Sequence, residues 1–142
     1  MRLESLDDTR RLARILLERA PNGALLLLEG PLGAGKTALT QQLGLELGAR
    51  AAISSPTYTL VHEYPTPQGL LVHMDAYRLS APEALLELGL EDYPERARLV
   101  VVEWGGPLRA RFPDALMLHL SLENGEREAR LEPPETAGDG PK

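Results

Sequence analysis

The chain contains no cysteine, which removes a disulfide framework, a thiolate metal site and a cysteine nucleophile together, and which suits a reducing compartment. Aromatic residues make up only 4%, so the core must be aliphatic, and the single tryptophan, Trp104, stands out. No apolar run approaches the length needed to span a bilayer, and the N-terminus carries Glu4, Asp7 and Asp8 in place of a basic and then apolar signal peptide. A cytoplasmic protein with no membrane role is expected. Lysine is nearly absent: Lys36 and Lys142 are the only two, arginine fills every other basic position, and the net charge is −6. That balance argues against a protein whose main affinity is for a phosphate backbone, so DNA binding and direct tight tRNA binding are disfavoured. It also singles out Lys36 before any motif is invoked.

With 142 residues, 43% of them hydrophobic, the chain fits one domain. We expect that domain over residues 1–132, followed by a disordered tail over 133–142. Ser5 followed by Asp8 reads as a capping box that opens a helix over Leu6 to Arg19, with Leu12, Ile15 and Leu16 at helical spacing. The unbroken apolar run from Ala24 to Leu28 suits a central parallel strand buried on both faces. Lys36 to Leu47 is helical in composition, with Leu39, Leu43 and Leu47 on one face and Gly48 as a stop. Thr57 to Tyr64 and Leu70 to Met74 read as strands around a turn at Pro65 to Gly69. Ser80-Ala81-Pro82-Glu83 looks like a second capping box, opening a short helix closed by Gly89. Arg98 to Glu103 is the most β-prone stretch, and Asn124-Gly125 joins two further strands in an edge hairpin. The expected fold is α/β, a three-layer P-loop NTPase-like sheet, mostly parallel, with an antiparallel edge hairpin.

The segment Gly30-Pro31-Leu32-Gly33-Ala34-Gly35-Lys36-Thr37 satisfies G-x-x-x-x-G-K-[ST] in full, between an apolar strand and a helix. The glycines let backbone amides close around phosphate oxygens, and the helix opening at Lys36 turns its positive end toward the same anion. Lys36 adds a point charge at the β- and γ-phosphates, and Thr37 a hydroxyl for Mg2+. Hydrolysis needs a carboxylate near the metal, which in a parallel sheet comes from a strand's C-terminal end. Asp75 and Glu103 both stand at such ends, and which of them would touch the metal is open. The only asparagines, Asn22 and Asn124, do not precede lysine, so a guanine-reading Asn-Lys-x-Asp motif is missing and ATP is the expected nucleotide.

Other features stay balanced between roles. The hydroxyl-dense Ser54-Ser55-Pro56-Thr57 loop fits a phosphate-sensing switch as well as a turn whose side chains bond their own backbone. Arg78 fits a structural ion pair better than a phosphate contact, and by spacing alone Trp104 reads first as a core residue. His62, His73 and His119 fall in three separate strand-like segments without ligand spacing, so neither a metal site nor a nucleophilic triad is expected of them.

Beyond the loop, Ser55-Pro56-Thr57-Tyr58-Thr59-Leu60-Val61, His73-Met74-Asp75-Ala76-Tyr77-Arg78-Leu79 and Val102-Glu103-Trp104 follow in order. This ordered set resembles the TsaE family, over roughly Ser5 to Leu122. The resemblance implies an ATPase, dependent on Mg2+ and weak alone, that assists synthesis of threonylcarbamoyladenosine next to the tRNA anticodon. Its partners would be TsaD and TsaB, which would hold the tRNA, so this chain meets tRNA only indirectly. By resemblance the nucleotide set is Thr9, Leu32, Gly33, Ala34, Gly35, Lys36, Thr37, Ala38 and Trp104, with Thr9 near adenine. Lys36, Asp75 and Glu103 carry the catalytic role, and Thr37 with Glu103 and Asp75 attends the metal. Departures are Pro31, where the family usually has an acidic or polar residue, and Met74 and Ala76, smaller than the usual neighbours of Asp75. A small-molecule kinase is the first alternative, although no arginine-rich lid is evident; a nucleotide-dependent switch without useful turnover is the second.

Overall fold

A computed structural model describes residues 1–31, 33–50, 61–75, 89–104 and 106–132. The first helix, α1, runs Leu6–Arg19. Ser5 and Asp8 form a reciprocal capping box: the Ser5 hydroxyl accepts from the Asp8 amide and the Asp8 carboxylate from the Ser5 amide, satisfying amides that open every helix. The strand β1 spans Ala24–Glu29, and the helix α2 spans Lys36–Leu47 and ends at Gly48 in left-handed conformation. Leu39, Leu43 and Leu47 are fully buried, as their spacing requires.

The remaining strands are β2 (Val61–Thr66), β3 (Gly69–Asp75), β4 (Ala97–Glu103), β5 (Leu116–Glu123) and β6 (Glu126–Glu132). They form one sheet in the order β2-β3-β4-β1-β5-β6. The four inner strands run parallel and the two edges are antiparallel hairpin partners. The β5–β6 turn is Asn124-Gly125, with φ of 53° and 78°, the left-handed pair a two-residue hairpin needs. The β2–β3 pairing is a second edge hairpin. There Pro65, expected in the turn, instead continues β2 opposite Leu70, which an edge strand tolerates because its outer amides need no partner.

Alternate residues of the sheet supply two cores. On one face Leu26, Leu28, Leu71, Leu99, Val101 and Leu118 meet Leu12, Leu16, Leu39 and Leu43 of α1 and α2. On the other, Leu25, Leu27, Val72, Met74, Val100 and Val102 are covered by Leu90, Tyr93 and Leu108, from short 3-10 turns and their flanks. Because β3, β4 and β1 are parallel, Asp75, Glu103 and Glu29 all arrive at one edge of the sheet, beside the loop that joins β1 to α2. The Ser54–Thr57 loop, the Ser80–Glu83 capping box, Arg78 and the tail over 133–142 lie outside the described residues.

Candidate functional site

The β1–α2 loop is shaped by glycine at both ends. A Cβ on Gly30 would stand 2.5 Å from the backbone oxygen of Leu120. Gly35 takes φ 106° at the N-cap of α2, and no side chain caps the amides that follow. The opening of α2 is thus an anion-binding end without a built-in anion. Leu32, within the loop, lies outside the described residues.

Lys36, 5% exposed, folds back over this loop. Its Nζ donates to the carbonyls of Gly30, at 2.5 Å, and Pro31, at 3.0 Å, and sits 3.9 Å from the centroid of the Trp104 ring. Burial holds the ammonium below its usual 10.5, opposed by the negative charges of Glu103, Glu29 and Asp75 in that order. One buried cation is therefore faced by three carboxylates from three parallel strands. Such a cluster is chemically compatible with a nucleotide, whose own charges and metal can take over each of these pairings.

Trp104 is half-buried and has φ 63°, rare for a non-glycine residue. It packs on the core cluster that includes Met74 and Val102 while presenting its ring to Lys36. Thr37 and Ala38 are half-buried in the first turn of α2, and Ala34 is buried in the loop. Thr9 is buried on α1. His62 contacts Tyr64 and His119 contacts Glu132. Among the described residues no group of three or more His, Asp or Glu side chains could hold a metal alone. The donor set fits Mg2+ that arrives on a nucleotide: one hydroxyl and one or two carboxylates, leaving other positions to phosphate oxygens and water.

Three residues join the site without having been singled out for it. Glu29 accepts from the Gly106 amide at 2.9 Å and fixes the turn after Trp104 against the end of β1. His73, fully buried, contacts Glu103 Oε2 through Nε2 at 2.5 Å. Arg127, on β6, donates from Nε to the Gly33 carbonyl at 3.0 Å, while its own carbonyl accepts from the Leu3 amide at 2.8 Å. One arginine thus ties the phosphate loop to the segment that leads into α1.

A family model described as "Threonylcarbamoyl adenosine biosynthesis protein TsaE" matches residues 3–131. Proteins named "tRNA threonylcarbamoyladenosine biosynthesis protein TsaE" are similar across most of the chain. The one from Nostoc is 37% identical over 92% of this chain and 83% of its own. That from Streptomyces coelicolor is 41% identical over 82% and 78%. The crystal structure of Bacillus subtilis YdiB superposes with a TM-score of 0.74 at 29% identity, covering 96% of this chain and 86% of that one.

Proposed function

Because the chain belongs to the TsaE family of tRNA threonylcarbamoyladenosine biosynthesis proteins, we propose that it binds ATP with Mg2+ at the β1–α2 loop and hydrolyses it in support of that modification. The observation that carries the reading is Lys36: buried, bonded among the described residues to loop carbonyls and a tryptophan face, and under the negative charge of Glu103, Glu29 and Asp75. A buried lysine donating to backbone carbonyls is poised to exchange them for phosphate oxygens, which bear full charge and bind it more strongly. The uncapped amides at the start of α2 would take up further phosphate oxygens.

Thr37, with Glu103 or Asp75, would hold Mg2+, which supplies charge neutralisation at the phosphates. The other strand-end carboxylate orients the attacking water and accepts its proton as the bond to the γ-phosphorus forms and the β–γ bridge breaks. Nothing in this arrangement transfers a carbamoyl group, and the chain's charge of −6 gives tRNA little to hold. The reading therefore assigns the modification itself to partners, TsaD and TsaB, with hydrolysis here supporting their repeated turnover in the cytoplasm. A weak basal rate fits a catalytic loop ordered by a partner.

Hydrolysis of ATP and tRNA modification are measured together in a mixture of TsaB, TsaD and the carbamoyl-adenylate-forming enzyme, with and without this chain. Multiple rounds of modification are expected only with the chain, accompanied by release of inorganic phosphate. Lys36→Ala should weaken nucleotide binding with or without the metal, and Glu103→Ala should leave metal-free binding in place while removing the gain that Mg2+ brings and the Mg2+-dependent turnover. Phosphate transferred to a metabolite instead of water, or sustained modification without the chain, would reject the proposal.

A further inference from the structure

His73 stands at an interior position of β3, two residues before Asp75 and on the same face as Leu71, where an aliphatic side chain would pack at no polar cost. It is fully buried, and its Nδ1 has no hydrogen-bond partner among the described residues. An orphaned polar atom of this kind costs about 1–3 kcal/mol, and a core that keeps one calls for an explanation in the other ring nitrogen. That nitrogen, Nε2, lies 2.5 Å from Oε2 of Glu103, itself 4% exposed. An ionised carboxylate only accepts, so in this bond Nε2–H donates to Oε2 of Glu103.

The backbone explains why the two meet. The β3–β4 register sets Asp75 beside Glu103 and His73 beside Val101, so the imidazole lies one residue pair below the carboxylate, on the same face, and reaches up to it. We propose that His73 is a positioning residue: its Nε2–H fixes Glu103 by one carboxylate oxygen and leaves Oε1 as the oxygen presented to the metal or its water. This rests on the Mg2+–nucleotide reading of the loop given above. A glutamate has three rotatable bonds, and ligating carboxylates are ordinarily held by such outer partners, whose loss costs roughly 10- to 100-fold in metal affinity or activity.

The two side-chain amides separate this role from general packing. Glutamine places its NH2 near the position of Nε2, whereas asparagine reaches only to that of Nδ1 and cannot touch Oε2. Leucine fills the site without any donor. The binding of a non-hydrolysable ATP analogue is measured by calorimetry with saturating Mg2+ and again in EDTA, and the ratio of the two dissociation constants reports the metal's coupling to the protein. We expect His73→Asn and His73→Leu to reduce that ratio by about 10- to 100-fold with little change in EDTA, and His73→Gln to keep it within about threefold of the parent. Either Asn or Leu serves if the other does not fold. Equal ratios in the Gln variant and in the donor-less variants overturn the proposal, as does a loss of affinity that is the same with and without Mg2+. A parent protein whose nucleotide binding ignores Mg2+ overturns instead the metal site on which it rests.

Discussion

Gly30→Ala tests whether the phosphate loop is held in place by a backbone contact. The new Cβ would meet the Leu120 oxygen at 2.5 Å, the Leu120 carbonyl carbon at 3.2 Å and its Cβ at 3.1 Å. Two of these three atoms are backbone of β5, which is clamped between β1 and β6, so no side-chain rotation relieves the overlap. Restoring an ordinary contact requires a movement of nearly 1 Å, in either the strand or the loop. Overpacking and backbone strain of this kind cost about 3 kcal/mol. With roughly 2.1 cal/mol/K of unfolding entropy per residue, the 142-residue chain carries about 0.3 kcal/mol/K, so the melting temperature should fall by about 10 °C.

Gly125→Ala is the control for a positive φ without a clash, because its φ of 78° lies near the left-handed region that side chains enter at modest cost and nothing lies within 4 Å of the added Cβ. Left-handed strain alone, about 1 kcal/mol, predicts a fall of about 3 °C. Thermal unfolding followed by circular dichroism, without nucleotide, compares the two. If Gly30→Ala melts within about 3 °C of Gly125→Ala, the loop yields freely, and the contact with Leu120 does not set its position.

The lowered proton affinity of Lys36 predicts a proton linkage. Burial depresses the free ammonium below its usual 10.5, and an incoming phosphate would restore it, so binding at a pH between the free and bound values takes up protons. Calorimetry in buffers of different ionisation enthalpy measures the uptake; its absence at every alkaline pH, or its persistence in Lys36→Arg, contradicts the assignment. Arg127→Ala removes the tie to the Gly33 carbonyl. A net exposed hydrogen bond of about 0.5–1.5 kcal/mol corresponds to roughly two- to tenfold weaker nucleotide binding, and unchanged affinity would mean that the loop keeps its shape without the arginine.

What the sequence disclosed depended on how far apart the interacting residues are. Ser5 and Asp8, Leu39 through Leu47, and Asn124-Gly125 signal their roles within a few residues, because caps, helix faces and tight turns are local. The P-loop is legible for the same reason: its amides, its lysine and its helix are contiguous. The β2–β3 hairpin was blurred by Pro65, which marks a turn when read locally and is permitted in a strand only once that strand is known to lie at an edge. Asp75 and Glu103 could be named as strand ends, but their shared face follows from register, which the pairing of β3 with β4 decides.

The residues that escaped the sequence are all joined to the site over long separations. His73 reaches Glu103 across 30 positions, Glu29 reaches Gly106 across 77, and Arg127 reaches Gly33 across 94. Spacing rules for metal or triad histidines are silent on a histidine whose partner is set by strand order. In a parallel sheet each strand can bring at most a few side chains to its C-terminal end, so a site there must be assembled from distant segments. On the proposed reading the loop would supply the phosphate grip from one stretch of chain, while β3 and β4 together would supply the carboxylates and the imidazole that orients one of them. That division would give grip and turnover different structural supports. Substitutions in the loop should therefore act on nucleotide affinity with or without Mg2+, and substitutions along the β3–β4 register on what the metal adds to that affinity and on what the bound nucleotide undergoes.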